Sequence, residues 1–266
     1  MRAILILMSL VLLLGAPSLL PAEGVTAFGP GERLEYVLKW AGIPAGDSVM
    51  EIVEGDVVDG AVLYRVISTA ESRSLVDVVY KVRNRYETHI HPADGLTRKY
   101  DFNMREGGKR RKRTLIFDQN ALTVTRIITN KDEVQSQVYE IPVGTQDNLS
   151  SLYALRNMDL VVGEPVNLRV FEGKKNWELE VDILAEEEVK VRAGTFRTWK
   201  IHPKLKYEGL FRRTGDLIIW VTRDQYRIPI LMKSKVRVGS IDAELKSYVL
   251  ADGVSVSPAQ VLSEQE

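Results

Sequence analysis

What most constrains this chain is the number of segments in which apolar and polar residues alternate one by one. Leu34, Tyr36, Leu38 and Trp40 alternate with mostly polar neighbours, and Trp177, Leu179, Val181 and Ile183 alternate with Glu178, Glu180 and Asp182. Met232, Val236 and Val238 are spaced by Lys233, Lys235 and Arg237, and Ile241, Ala243 and Leu245 by Asp242, Glu244 and Lys246. A period of two puts one face of a strand on a core and the other in water. Antiparallel sheets accept that arrangement and parallel ones seldom do. Turn residues separate the runs at Asp59-Gly60, Asp94-Gly95, Gly107-Gly108, Asp118-Gln119-Asn120, Asn130-Lys131-Asp132 and Gly173-Lys174. The intervals suit hairpins. The expected fold is all-β, a meander of mainly antiparallel strands in a strongly curved sheet or open β-barrel, since curling manages the edges of so many strands.

Two segments depart from this period. Leu149, Leu152, Tyr153 and Arg156 recur at helical spacing behind Asp147 and Asn148, either of which can cap, so a helix is expected over Asp147–Met158 near the middle of the chain. Ser74–Val82 stays open: Leu75, Val78, Val79 and Val82 fit a helix face, while the β-branched content favours a strand. Gly31-Glu32 and Ile43-Pro44-Ala45-Gly46 are echoed by Gly163-Glu164 and Val191-Arg192-Ala193-Gly194. Two similar β halves joined near residues 147–158 would explain the echo, and so would coincidence among common turn residues.

Met1 and Arg2 precede an apolar run from Ala3 to Leu14, which Gly15 and Pro17 break before Leu20-Pro21-Ala22. This is the layout of a secretory signal peptide, and it is too short for a spanning helix of about 20 apolar residues. The expected division is a signal peptide over 1–22, a barrel-like domain over 23–251 and a loose tail over 252–266. The chain has no cysteine, so disulfides, thiolate catalysis, Cys-ligated metals and a lipid-modified N-terminus are all excluded. With 36 basic and 36 acidic residues, it lacks the broad basic character that nucleic acid requires. The expected location is the periplasm, with no transmembrane segment in the mature chain.

Three groups of residues are candidates for chemistry. Asp147, Ser150, Tyr153 and Arg156 can give the central helix a polar stripe toward a ligand, or can equally cap that helix and hydrogen-bond the barrel wall. Lys109, Arg110, Arg111, Lys112 and Arg113 follow Gly107-Gly108. At a hairpin they would form a positive tip able to touch phosphates of anionic lipid or lipopolysaccharide, a solvated flank being the plainer alternative. His89 and His91 share a strand face with Glu87 and, with His202 as a remote third donor, resemble the start of a zinc or copper site. The more apolar face belongs to Tyr86, Thr88 and Ile90, which leaves the histidines on the polar side, in water. No metal or cofactor is assigned. Ser150 has no nearby histidine and no nucleophile-elbow glycines, so a serine hydrolase has no support. Glu186–Glu188 are expected at a solvated turn, and Trp40, Trp177, Trp199 and Trp220 in the core.

Several stretches, in order, resemble one family. They are Pro30-Gly31-Glu32-Arg33-Leu34-Glu35-Tyr36, Trp40-Ala41-Gly42-Ile43-Pro44-Ala45-Gly46, Tyr80–Thr88 and Gln146–Tyr153 with Arg156. Ala193-Gly194-Thr195-Phe196, Ile219–Asp224 and Arg227–Ile230 complete the set. Together they are similar to the exported bacterial proteins of the domain-of-unknown-function family numbered 3108, although Asn84 stands where that family more often has Asp. The resemblance implies a β-rich envelope protein with no assigned reaction, distantly similar in plan to envelope-integrity proteins built as an open, spiralling barrel. It supplies no catalytic residues. The function expected is a non-enzymatic periplasmic protein that binds an envelope component, a lipid, glycolipid or partner protein, and supports envelope integrity. The alternatives are a sheet-edge scaffold or chaperone-like module for envelope polypeptides, and a metal-dependent hydrolase using His89 and His91.

Overall fold

The computed structural model describes residues 27–130, 133–207, 210–211, 217–235, 239–253 and 255–256. The signal peptide expected over 1–22 lies outside them, and so does most of the tail expected over 252–266. The first half of the chain forms β1 (Arg33–Trp40), β2 (Ile43–Val58), β3 (Ala61–Ser72), a short helix α1 (Ser74–Tyr80), β4 (Arg83–Ile90), β5 (Thr97–Glu106), β6 (Lys109–Asp118), β7 (Thr123–Asn130) and β8 (Glu133–Glu140). After β9 (Thr145–Gln146) comes α2 (Ser150–Arg156), then β10 (Val166–Glu172), β11 (Lys175–Val191), β12 (Gly194–Tyr207) and β13 (Leu210–Phe211). β14 (Leu217–Thr222), β15 (Pro229–Lys235), β16 (Ser240–Val249) and β17 (Ser255–Val256) follow.

All seventeen strands belong to one sheet, and the period-two pattern of the long strands explains why: most of them have one apolar face to bury. The order in which they pair is less obvious. β1 lies mid-sheet, with Arg33 opposite Glu51 of β2 on one side and opposite Val249 of β16 on the other. From β2 the sheet runs outward strand by strand to β8. From β16 it runs through β15, β14, β12 and β11 to β10. The first and last long strands therefore meet at the centre, and the outermost long strands, β8 and β10, lie in the chain on either side of the segment that carries β9 and α2. All pairings are antiparallel except β9 with β10, where Thr145 lies opposite Arg169 and Gln146 opposite Val170.

The sheet curls without closing. No ladder joins β8 to β10 among the described residues. Their approach is held by the Tyr139 and Phe171 rings, 5.3 Å apart, and by Asn176 Nδ2, which donates to the Glu140 carbonyl at 2.9 Å. The turns follow local chemistry. At the β2–β3 hairpin Asp59 and Gly60 both take positive φ, 51° and 79°, as an Asp-Gly type I′ turn requires.

The inner faces form three apolar clusters: one around Leu34, Tyr36, Ile52, Ile90 and Ile230, one around Val181, Ile183, Ile201 and Val221, and one around Tyr100, Leu115, Phe117 and Phe171. α2 stands at their junction. Tyr153 belongs to the first cluster and Leu155 to the second, while Leu149, just before the helix, packs on the first and third. Each such side chain contributes about 1.5–3 kcal/mol through burial.

The helix is shorter than its periodicity suggests, because Asp147 and Asn148 form the turn that leads into it and Asn157 ends it. The ambiguous segment is helical, as α1. Glu186–Glu188 lie within β11 rather than at a turn, where Glu187 accepts from Trp220 Nε1 and Glu186 pairs with Arg223. Trp220 is buried and Trp177 and Trp199 are half-buried, but Trp40, at the end of β1, is 45% exposed and is not a core residue. Among the described residues no helix is long and apolar enough to cross a membrane.

Candidate functional site

The central helix turns its polar stripe into the protein. Asp147 is fully buried, and each of its carboxylate oxygens is doubly engaged. The amides of Leu149 and Ser150 donate to Oδ1 at 2.7 and 3.0 Å, while Thr88 Oγ1 lies 2.6 Å and Thr97 Oγ1 2.8 Å from Oδ2. Ser150 Oγ, also buried, accepts from the Asp147 amide and lies 2.6 Å from Thr97 Oγ1. Burial pushes the Asp147 carboxyl above the usual carboxylate range, against the pull of these hydrogen bonds.

Arg156 is 1% exposed and makes a bidentate pair with the equally buried Glu32, both contacts at 2.7 Å. Its remaining donors reach the Ala27 and Tyr226 carbonyls at 2.9 Å, and its guanidinium lies over the rings of Tyr153 and Phe28. The Tyr153 hydroxyl is the exception in this cluster, buried with no hydrogen-bond partner among the described residues, and its pKa is pushed far up by burial. Asp147 and Ser150 thus fasten α2 to β4 and β5, while Arg156 fastens it to the segment ahead of β1 and to the β14–β15 loop. Glu32 lies in the Pro30–Tyr36 stretch, but nothing local pairs it with Arg156, 124 residues away.

A different chemistry occupies the end of the sheet where β5 turns into β6. Lys109–Arg113 begin β6 directly after the Gly107-Gly108 turn, and alternation divides them between two faces. Arg113 shares a face with the buried Leu115 and Phe117, lies over the Phe102 ring at 4.3 Å and pairs with Glu172 at 2.9 Å. Lys109, Arg110, Arg111 and Lys112 are exposed. Arg110 stands directly opposite Arg105 of β5, and like charges in that position repel.

Lys81 and Arg83, on either side of the α1–β4 junction, bring two more cations to the same place. Lys81, Arg83, Arg105 and Arg110, with Gly107, line a pocket of about 280 Å³. Arg83 pairs with Asp77 of α1 at 2.6 Å, whereas Lys81, Arg105 and Arg110 form no salt bridge among the described residues. The pocket is held in place by the backbone. The Gly107 amide donates to the Lys81 carbonyl at 2.8 Å, and a Cβ on Gly107 would lie 3.0 Å from the Tyr80 ring. With φ at 55°, this turn position needs glycine for both reasons. Beside the pocket, α1 holds Val78 and Val79 out into solvent, 85% and 84% exposed, although Arg73 anchors its start through a two-point pair with Asp47.

Sequence reasoning finds the Lys109–Arg113 run but misses Lys81, Arg83 and Arg105. Their convergence depends on hairpin register and on the docking of α1, and only the Tyr80–Thr88 block hinted at the first two.

The histidines are placed differently from expectation. His89 is buried, not in water. It sits between Arg65 of β3 and Lys99 of β5, whose long stems shield it, and burial, with Lys99 adding to it, pushes its pKa down. His91 lies at the end of the strand, where its Nδ1 accepts from the Ala93 amide at 3.3 Å. His202 is on β12, opposite Asp182 of β11. Among the described residues no group of three or more His, Cys, Asp or Glu side chains is placed to hold a metal ion.

A single curled antiparallel sheet, open at one seam and latched by an internal helix, defines a β-barrel-like protein. Within that class the chain belongs to the family described as protein of unknown function DUF3108, which matches residues 35–246. A solved structure of similar fold is the β-barrel-like DUF1849 protein from Brucella abortus, at 13% identity and a TM-score of 0.57, covering 85% of this chain and 99% of that one. A second, a Bacteroides fragilis protein described by its YmcC-like fold, aligns at 9% identity and a TM-score of 0.34, covering 83% of this chain and 98% of that one. Among curated proteins none matches this chain.

Proposed function

We propose that this chain is an exported, non-enzymatic protein that binds phosphate-bearing lipid of the cell envelope through the α1 and β5–β6 end of its sheet. The observation that carries this reading is the pocket of four cations, of which Arg105 and Arg110 have no acidic partner among the described residues, next to the bare Val78 and Val79. An uncompensated Arg105–Arg110 pair lowers stability, and departures of that kind concentrate at functional sites. A phosphate group satisfies the cations, and the exposed valines suit the acyl boundary beneath a headgroup. Export rests on the N-terminal sequence, and a non-enzymatic role on the lack of a convergent catalytic set among the described residues.

The test is co-sedimentation with phosphatidylglycerol vesicles and, separately, with phosphatidylcholine vesicles. Binding is expected to the anionic vesicles only and to weaken with salt. At about 1 kcal/mol per basic residue near an anionic surface, Arg105→Glu with Arg110→Glu weakens it at least tenfold, and Val78→Ser with Val79→Ser weakens it less. Equal binding to both vesicle types, or indifference to the charge reversals, overturns the reading. Retention of inorganic phosphate by calorimetry without any vesicle binding would assign the pocket to a soluble ligand and also overturn it.

A further inference from the structure

The outer edge of β8 has a property that the lipid reading does not use. β8 pairs with β7 alone among the described residues, and the approach of β10 and β11 reaches it only at Tyr139 and Glu140. Strand edges usually carry charges or proline that discourage pairing. Here Val134-Gln135-Ser136-Gln137-Val138-Tyr139 has neither, and Val134 and Val138 are 65% and 60% exposed. Tyr139 lies opposite the fully buried Val124, so alternation turns Val134, Ser136 and Val138 to the outer face. There they continue an apolar row from Ile116 through Thr125 to Val138, and Ile116 is itself 46% exposed.

The segment is also nearly a palindrome about Ser136: Val-Gln-Ser-Gln-Val. In an antiparallel pair of two copies related by a two-fold axis at Ser136, Val134 meets Val138 of the second copy and Gln135 meets Gln137, each twice, and Ser136 meets itself. Each of these pairs is uncharged and sets like side chains against like, apolar against apolar and amide against amide. Moving the axis to lie between Ser136 and Gln137 sets Val134 against Tyr139 and Val138 against Gln135 of the second copy. It also puts the valines of the two copies on opposite faces of the joined sheet, because the side-chain period is two. A two-fold contact of this kind is closed, so it stops at a dimer.

We infer that β8 pairs antiparallel with β8 of a second copy of this chain, centred on Ser136, joining two sheets across their free edges. The chain has no cysteine, so Ser136→Cys introduces the only thiol. Under mild oxidation this variant is expected to cross-link as a dimer. Val134→Cys or Val138→Cys alone should cross-link poorly, and the two combined efficiently. In sedimentation velocity the wild type should be dimeric, and Val134→Lys with Val138→Lys monomeric. Both substitutions are at exposed positions, so an unchanged far-ultraviolet circular dichroism spectrum would show that the variant is folded, while its melting temperature should fall with the loss of association. A wild type that stays monomeric at its highest soluble concentration overturns the inference, as does a Ser136→Cys variant that cross-links no better than Val138→Cys. A monomer that instead orders an added extended peptide along β8 overturns it too, in favour of a polypeptide partner.

Discussion

The interior around α2 and the end around α1 hold the same kinds of side chain to opposite effect. Around α2, Arg156 meets Glu32 in a two-point pair and Asp147 receives four contacts at hydrogen-bond distance, so buried charge is almost completely matched. Around α1, Arg105 stands opposite Arg110 with no salt bridge to either among the described residues, and Val78 and Val79 stand in water. The first region is built for stability. The second departs from it, and that contrast, more than the basic residues as such, is the reason to seek a ligand at the α1 end.

The comparison can be broken most forcefully at Arg156. Arg156→Ala strands the Glu32 carboxylate in the interior and is expected to cost about 3–5 kcal/mol in urea unfolding. Removing both partners, as Glu32→Leu with Arg156→Leu, should cost clearly less, because no charge is left alone. Equal losses would mean that the pair does more than satisfy itself. A smaller effect of opposite sign is expected at the other end. Arg105→Thr relieves a like-charge pair and should raise stability by about 0.2–1 kcal/mol in thermal melts while weakening vesicle binding, and a stability loss would remove the contrast. Smallest is Tyr153→Phe, which deletes the unpaired hydroxyl of the α2 cluster. Stability should stay level or rise by no more than about 1 kcal/mol, and a marked fall would reveal a partner for that hydroxyl.

How much of this was legible in the sequence follows the range of each interaction. Alternation in β1, β11 and β16 is local, so the class of fold and its curled form could be read directly. The pairing of β1 with β16 could not, since nothing in either strand names a partner on the far side of the chain. The helix was visible in Leu149, Leu152, Tyr153 and Arg156, but its inward orientation needed the three clusters it joins. The basic run in β6 was plain, whereas its conversion into a pocket depended on Arg105 across the hairpin and on Lys81 and Arg83 beyond α1. His89 was assigned to the wet face because alternation assumes that one side of a strand is bare. At the end of β4 both sides are covered, with Thr88, His89 and Ile90 all buried in succession.

The central position of β1 bears on how the molecule assembles. Glu35 and Ser247, bonded across the middle of the sheet, are 212 residues apart, and drawing together the ends of so long a flexible chain costs on the order of 5 kcal/mol before any contact repays it. Once the β2–β8 and β10–β16 meanders exist, almost none of that length is free, and the hinge between them is the stretch that carries α2. By seizing Glu32 and Ala27 on one side and Tyr226 on the other, Arg156 brings the two meanders to the same point. The helix that looks like a plug in the finished protein is also the clasp that turns a long search into a short one.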